Sequence, residues 1–198
     1  MKKILLIHTQ YQITGGEDIA VDNEINLLQN EYEVKSLKFE NSFRTFLLNL
    51  IGMNNNKKKI NNSIEQYKPD IVYFHNTWFS VPSSYIKLLS KRNLDVRIKL
   101  HNFRYICCSS YMLINHVLKM ESCGACGIEN NKYKFFNKYF QDSFIKSIYS
   151  IYFHKRFFNL LKDANIHVYV LTKFHKNFLI DKGIDDKKIS VFHNYLQE

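Results

Sequence analysis

No run of about 20 apolar residues occurs in the chain. The longest candidate, Phe46 to Met53, is interrupted by Asn49 and Gly52, so no membrane-spanning helix is expected. The apolar opening ends at His8 with no small-residue cleavage site behind it, which reads as a strand and not a secretory leader. Internal repeats and low-complexity linkers are absent, and 198 residues, 45% of them apolar, are expected to make one globular domain over 1–198. Cysteine is confined to one segment, as Cys107, Cys108, Cys123 and Cys126, which favours thiols or ligands in a reducing cytoplasm over a disulfide framework. Acidic residues are also scarce, 18 against 28 Lys and Arg for a net charge of +10, so the surface attracts anions. Phosphate, nucleic acid and acidic lipid all qualify on charge. A cytoplasmic protein, soluble or peripheral at the inner face of a membrane, is expected.

What is present is an alternation of apolar runs and helical stripes. Lys3 to His8 has strand length, and Thr9 to Gly16 is polar with two glycines. From Glu17, Val21, Ile25 and Leu28 recur at helical spacing, with Glu17 and Asp18 where a helix dipole favours acids. Glu33 to Phe39 reads as a strand, Asn54 to Lys59 as a loop or solvent-facing helix end, and Ile60 to Tyr67 as a helix ending before Pro69. Asp70 to Phe74 and Val96 to Leu100 read as strands around a helix over Ser80 to Arg92. A long aromatic helix from Phe140, a strand Ile166 to Leu171 and a helix Phe174 to Lys182 follow, with Gly183 suited to a left-handed cap. This order predicts an α/β, Rossmann-like, doubly wound parallel sheet, whose ligands bind beyond the carboxyl ends of the strands.

The candidate residues therefore lie just after strands. Gly15 and Gly16 open a helix, where backbone N–H groups can meet a phosphate or sugar oxygen; the alternative is a tight turn. His75 with Asn76, His101 with Asn102, and His193 with Asn194 each follow a strand candidate, so an imidazole there can accept a proton or orient a hydroxyl. The alternative for each is a loop residue satisfied by backbone bonds. Cys123-Gly-Ala-Cys126 has zinc-ligand spacing, with Cys107 or Cys108 as third ligand and His101 or His116 as fourth; buried or free thiols are the alternative. Lys132 to Lys162 interleaves basic and aromatic residues, giving a helix that is either largely buried or laid on an anionic membrane with its cations snorkelling. No recognisable module places those cations on nucleic acid, and no nucleic-acid partner is expected.

Taken in order, Gly15-Gly16-Glu17-Asp18 with Val21, Glu24 and Leu27-Leu28, then Pro69-Asp70-Ile71-Val72 and His75-Asn76-Thr77, resemble the N-terminal domain of glycosyltransferase family 4. Leu100-His101-Asn102-Phe103-Arg104 with the cysteines is similar to one bacterial branch of that family, and Ile189 to Asn194 to its crossing point between domains. The resemblance implies a GT-B architecture of two facing Rossmann-like domains, the first binding acceptor and the second the nucleotide sugar. It implies His101 facing the reacting sugar and Gly15 and Gly16 near the donor phosphates. His75, Asn76, Asn102 and Arg104 would line the cleft wall, with Thr172 and Asn194 nearer the domain junction. Transfer would retain anomeric configuration and need no metal. The family places Pro after the first cysteine and before the closing Asn, where this chain has Cys108 or Ser109 and His193.

No counterpart of the family's donor-binding domain appears in the chain. The expectation is thus the acceptor-side half of an enzyme making surface polysaccharide or a lipid-linked glycan, inactive until a separate donor-domain chain supplies the nucleotide sugar. A non-catalytic scaffold on an anionic membrane or a partner enzyme is the alternative, and a zinc-stabilised interaction domain a third.

Overall fold

A computed structural model of the chain describes residues 1–11, 15–42, 45, 48, 53, 55–78, 80–92, 94–106, 143–163 and 165–195. They fall into two compact units: Met1–His101 with Lys162–Glu198, and Asn102–Leu161. The first contains a six-stranded sheet with strands β1 (Lys3–Gln10), β2 (Glu33–Glu40), β3 (Ile71–Phe74), β4 (Asp95–Leu100), β5 (Ile166–Val170) and β6 (Ile189–Val191). Its helices are α1 (Gly16–Leu28), α2 (Asn56–Tyr67), α3 (Ser83–Ser90) and α5 (Lys173–Asp181), with a short turn of 3₁₀ helix at Asp186–Lys188. The second unit contributes α4 (Phe144–Leu161).

All strand pairs are parallel, in the order β2-β1-β3-β4-β5-β6. The chain leaves β1 for β2 on one side and returns to β3 on the other, so the winding reverses between β1 and β3. The fold is an α/β, Rossmann-like, doubly wound sheet, as the alternation of runs predicts. Central strands of such sheets are buried on both faces and read as continuous apolar runs; Ile4 to Ile7 and Ile71 to Phe74 are all buried. On one face Val21 of α1 packs on Ile4, Leu6, Ile71 and Tyr73, with Ile25 and Leu28 beside it. The other face carries Leu5, Ile7, Val72, Phe74, Val96, Ile98, Val168 and Val170, all fully buried.

Several boundaries shift by one or two residues, and two helix starts by three or four. Helix α3 begins at Ser83, not Ser80, because Pro82 sits in extended backbone as its N-cap. Helix α2 begins at Asn56, so Lys57, Lys58 and Lys59 form its first turn, the solvent-facing helix end of the two alternatives and not the loop. At the end of α5, Gly183 has φ +82°, its N–H meets the Ile180 carbonyl at 2.8 Å, and the Ile184 N–H meets Leu179 at 3.1 Å. A Cβ there would touch nothing within 4 Å. Gly183→Ala is therefore expected to cost only the left-handed conformation, about 1 kcal/mol. A lower thermal midpoint with an unchanged far-UV circular dichroism spectrum would register it.

Candidate functional site

The register places Ile7 beside Phe74 and Phe74 beside Ile98. One residue further, His8, His75 and Lys99 therefore stand at one level, all on the α1 side of the sheet by strand alternation, with His101 two residues beyond Lys99. This is the carboxyl end of β1, β3 and β4 at the reversal of winding, where open α/β sheets bind ligands. His8, His75 and Lys99 are buried and His101 is half-buried.

Helix α1 supplies the acids. Asp18 Oδ1 lies 2.8 Å from His8 Nε2, and Asp18 Oδ2 accepts the Gly15 N–H at 2.9 Å. Burial pushes the Asp18 carboxyl up, but the Gly15 and His8 hydrogen bonds outweigh it and hold the group below its ordinary value. Burial lowers His8 further than Asp18 can raise it. The pair is then a carboxylate accepting Nε2–H from a neutral imidazole. Asp18 thus bonds the N–H of the α1 N-cap residue, Gly15, and ties the start of α1 to the end of β1. Gly15 is half-buried and Gly16 exposed, and a Cβ on Gly16 would meet nothing within 4 Å.

One turn and a half along α1, Glu24 enters the sheet. Its Oε2 accepts from Lys99 Nζ, and its Oε1 accepts the Tyr73 hydroxyl at 2.7 Å. Burial lowers the Lys99 ammonium despite Glu24 and raises the Tyr73 hydroxyl well above its usual range, with Glu24 adding to the rise. Lys99 also stands 4.3 Å from the Phe192 ring centroid and 3.4 Å from the His193 carbonyl oxygen. Asn23 Nδ2 donates to the Tyr195 carbonyl at 3.3 Å. The segment after β6 is thereby drawn across the strand ends towards α1.

His75 Nδ1 and His101 Nε2 are 2.9 Å apart, and His75 Nε2 lies 3.9 Å from Glu24 Oε1. Burial lowers His75 well below the ordinary imidazole range, helped by His101, Lys99 and His8. Burial, then Lys99, His8 and His175, bring His101 down to about 3. Among the described residues, His8 Nδ1, His75 Nε2 and His101 Nδ1 are buried ring nitrogens with no hydrogen-bond partner.

The other sequence candidates have local roles or stand apart. Asn76 Nδ2 donates to the Thr9 carbonyl at 2.9 Å and its Oδ1 accepts the Trp78 N–H at 2.9 Å, tying the ends of β1 and β3. Thr172 is exposed and caps α5, its hydroxyl accepting the His175 N–H at 3.1 Å. Thr172→Ala should cost about 1 kcal/mol of stability, measurable by urea titration. Asn194 is exposed after β6. Asn102 and Arg104 belong to the other unit, where Asn102 Oδ1 accepts the Arg104 N–H at 3.0 Å. Cys107, Cys123 and Cys126 lie outside the described residues, and among those described no group of three or more His, Cys, Asp or Glu is placed to hold a metal ion.

Sequence reasoning passed over His8, Glu24, Lys99 and Tyr73 as chemistry. The available signal was a histidine closing an apolar run and a lysine inside a strand.

Fold and rim together define a Rossmann-like α/β domain with a histidine-lined switch point. No family model and no curated protein matches the chain. A UDP-glucosyltransferase from Polygonum tinctorium capable of glucosylating indoxyl is 10% identical over 97% of this chain and 51% of that one, at TM-score 0.44. This chain therefore spans about half the length of that glucosyltransferase. The LacI family transcriptional regulator CCPA from Weissella paramesenteroides, with bound glucose, is 9% identical over 94% of this chain and 78% of that one, at TM-score 0.36. Its sucrose-bound structure gives 10% identity over the same shares, at 0.35. At these identities and scores they assign neither family nor activity.

Proposed function

We propose that this chain is the acceptor-side half of a retaining glycosyltransferase of the family 4 type, acting on a glycan or lipid-linked acceptor. The observation that carries the reading is the row of three imidazoles, His8, His75 and His101, at the ends of adjacent parallel strands. Each has a buried ring nitrogen without a hydrogen-bond partner among the described residues. Buried polar atoms of native proteins are normally paired, so such a row suits a ligand rich in hydroxyls. A histidine held at about 3 is a poor proton acceptor at neutral pH. His101 therefore orients a substrate hydroxyl and does not deprotonate it. The exposed backbone at Gly16 flanks the same strand ends. In this reading the nucleotide sugar is gripped by a donor domain on another polypeptide segment.

Two titrations test this. Millimolar methyl pyranosides should shift the ring resonances of His75 and His101, and His101→Ala should abolish the effect. Calorimetry with UDP-glucose and this chain alone should give no tight binding. A silent pyranoside titration would remove the sugar reading; tight UDP-glucose binding would contradict the division into acceptor and donor halves.

A second reading, a scaffold on an anionic membrane, is favoured by α4. Phe144, Ile145, Ile148 and Tyr152 are exposed along it, followed by exposed Lys155 and Arg156, and the helix contains no acid. Among the described residues no helix is long and apolar enough to cross a membrane, so contact would be peripheral. Sedimentation with vesicles containing phosphatidylserine should be salt-sensitive and reduced several-fold by Ile148→Asp. Binding unaffected by either would exclude this role.

A further inference from the structure

The contact between His75 and His101 has a direction. One ring nitrogen carries the proton and the other accepts it, and a neutral imidazole holds one proton in all. If His75 Nδ1 were the donor, His75 Nε2 would be a bare lone pair facing the Glu24 carboxylate at 3.9 Å. His101 would then carry its proton on Nδ1, a buried donor with no partner among the described residues. Both features are unfavourable: a lone pair against an anion, and an N–H stranded from water. If His101 Nε2 is the donor, His75 carries its proton on Nε2, towards the Glu24 carboxylate. At 3.9 Å that N–H meets the carboxylate as a charge–dipole contact and not as a hydrogen bond, and the acceptor this pair leaves open is the lone pair of His101 Nδ1. Glu24 is itself fixed, one oxygen by Lys99 Nζ and the other by the Tyr73 hydroxyl.

We infer that Glu24, acting through His75, holds the ring proton of His101 on Nε2 and so presents Nδ1 as a hydrogen-bond acceptor for a ligand hydroxyl. Glu24 and His75 act as positioning residues for His101, whose Nδ1 is the acceptor presented to the ligand hydroxyl. The sequence separations, 51 residues from Glu24 to His75 and 26 from His75 to His101, are closed by α1 packing over β3 and β4. The lowered proton affinities of His75 and His101 agree, since a neutral pair is what a directed hydrogen bond requires. This inference rests on the sugar-pocket reading for the nature of the ligand, but not for the direction of the proton.

The test is nitrogen-15 spectroscopy of histidine-labelled protein at neutral pH. A coupling across the hydrogen bond should join protonated His101 Nε2 to unprotonated His75 Nδ1, with His101 Nδ1 at the shift of a bare imidazole nitrogen. A proton found on His75 Nδ1 would overturn the proposal from the wild-type spectrum alone. Glu24→Gln should loosen the preference, so that both rings give averaged nitrogen shifts; a spectrum identical to wild type would mean that Glu24 directs nothing. Adding methyl pyranoside then separates the two readings. Movement of the His101 Nδ1 resonance supports both, whereas a directed proton with an unresponsive Nδ1 sinks the sugar pocket and leaves the relay standing.

Discussion

Lys99→Met is expected to cost the sheet unit about 3–5 kcal/mol, the penalty typical of stranding one charge of a buried ion pair. Lys99 and Glu24 are 1% exposed, and the carboxylate's other donor among the described residues is the Tyr73 hydroxyl. A cost of that size rivals the whole stability of many domains, so the variant should be largely unfolded at a urea concentration the parent resists. The double variant Lys99→Met with Glu24→Leu should recover much of the loss, since a buried pair can often be exchanged for apolar side chains at little net cost. Recovery would be incomplete because the Tyr73 hydroxyl loses its acceptor. Hydrogen exchange at residues 192–195 should accelerate in the single variant, because Lys99 holds that segment through Phe192 and His193. A single variant as stable as the parent would mean that the pair is solvated in solution.

The second large effect is acid lability. His101 is held at about 3 and His175 at about 4, both mainly by burial, against an ordinary value of 6.5. His8 and His75 are lowered for the same first reason. The unfolded chain therefore binds protons that the folded one refuses. Stability is complete above pH 6.5 and falls as the pH drops from there towards 4 and 3. Each fully responding histidine contributes about 1.4 kcal/mol per pH unit. By pH 5, His101 and His175 alone should remove about 2 kcal/mol each. Thermal melts between pH 7.5 and 4.5 should show a steep decline that His101→Gln makes shallower. A midpoint unchanged over that range would mean that these rings are open to protons in the folded state.

Much of the architecture was legible. The continuous apolar runs of β1 and β3 and the alternation in β5 follow from burial on both faces or one, and the α1 stripe follows from its contact with Ile4, Leu6 and Tyr73. Boundaries were less so: Pro82 shortened α3 from the front, and the three lysines in the first turn of α2, two of them facing solvent, fitted a loop as well as a helix end. His75 and His101 stood out as polar residues after strands. Asp18 read as an acid favoured by the helix dipole, Glu24 entered only through the family resemblance, and Lys99 was one residue of a strand. Nothing local distinguishes a solvated Lys99 from one buried under α1. The difference lies in a partner 75 residues away.

The order of strands and helices, the basic balance and the presence of histidines at strand ends were determined by sequence alone, because periodicity and turn chemistry act over a few residues. Which imidazole touches which, that Asp18 bonds both His8 and the Gly15 N–H, and that Glu24 joins Lys99, Tyr73 and the His75–His101 pair were decided only by the tertiary structure. Those contacts depend on strand order and register, and a shift of one residue would turn His8, His75 and Lys99 to the opposite face.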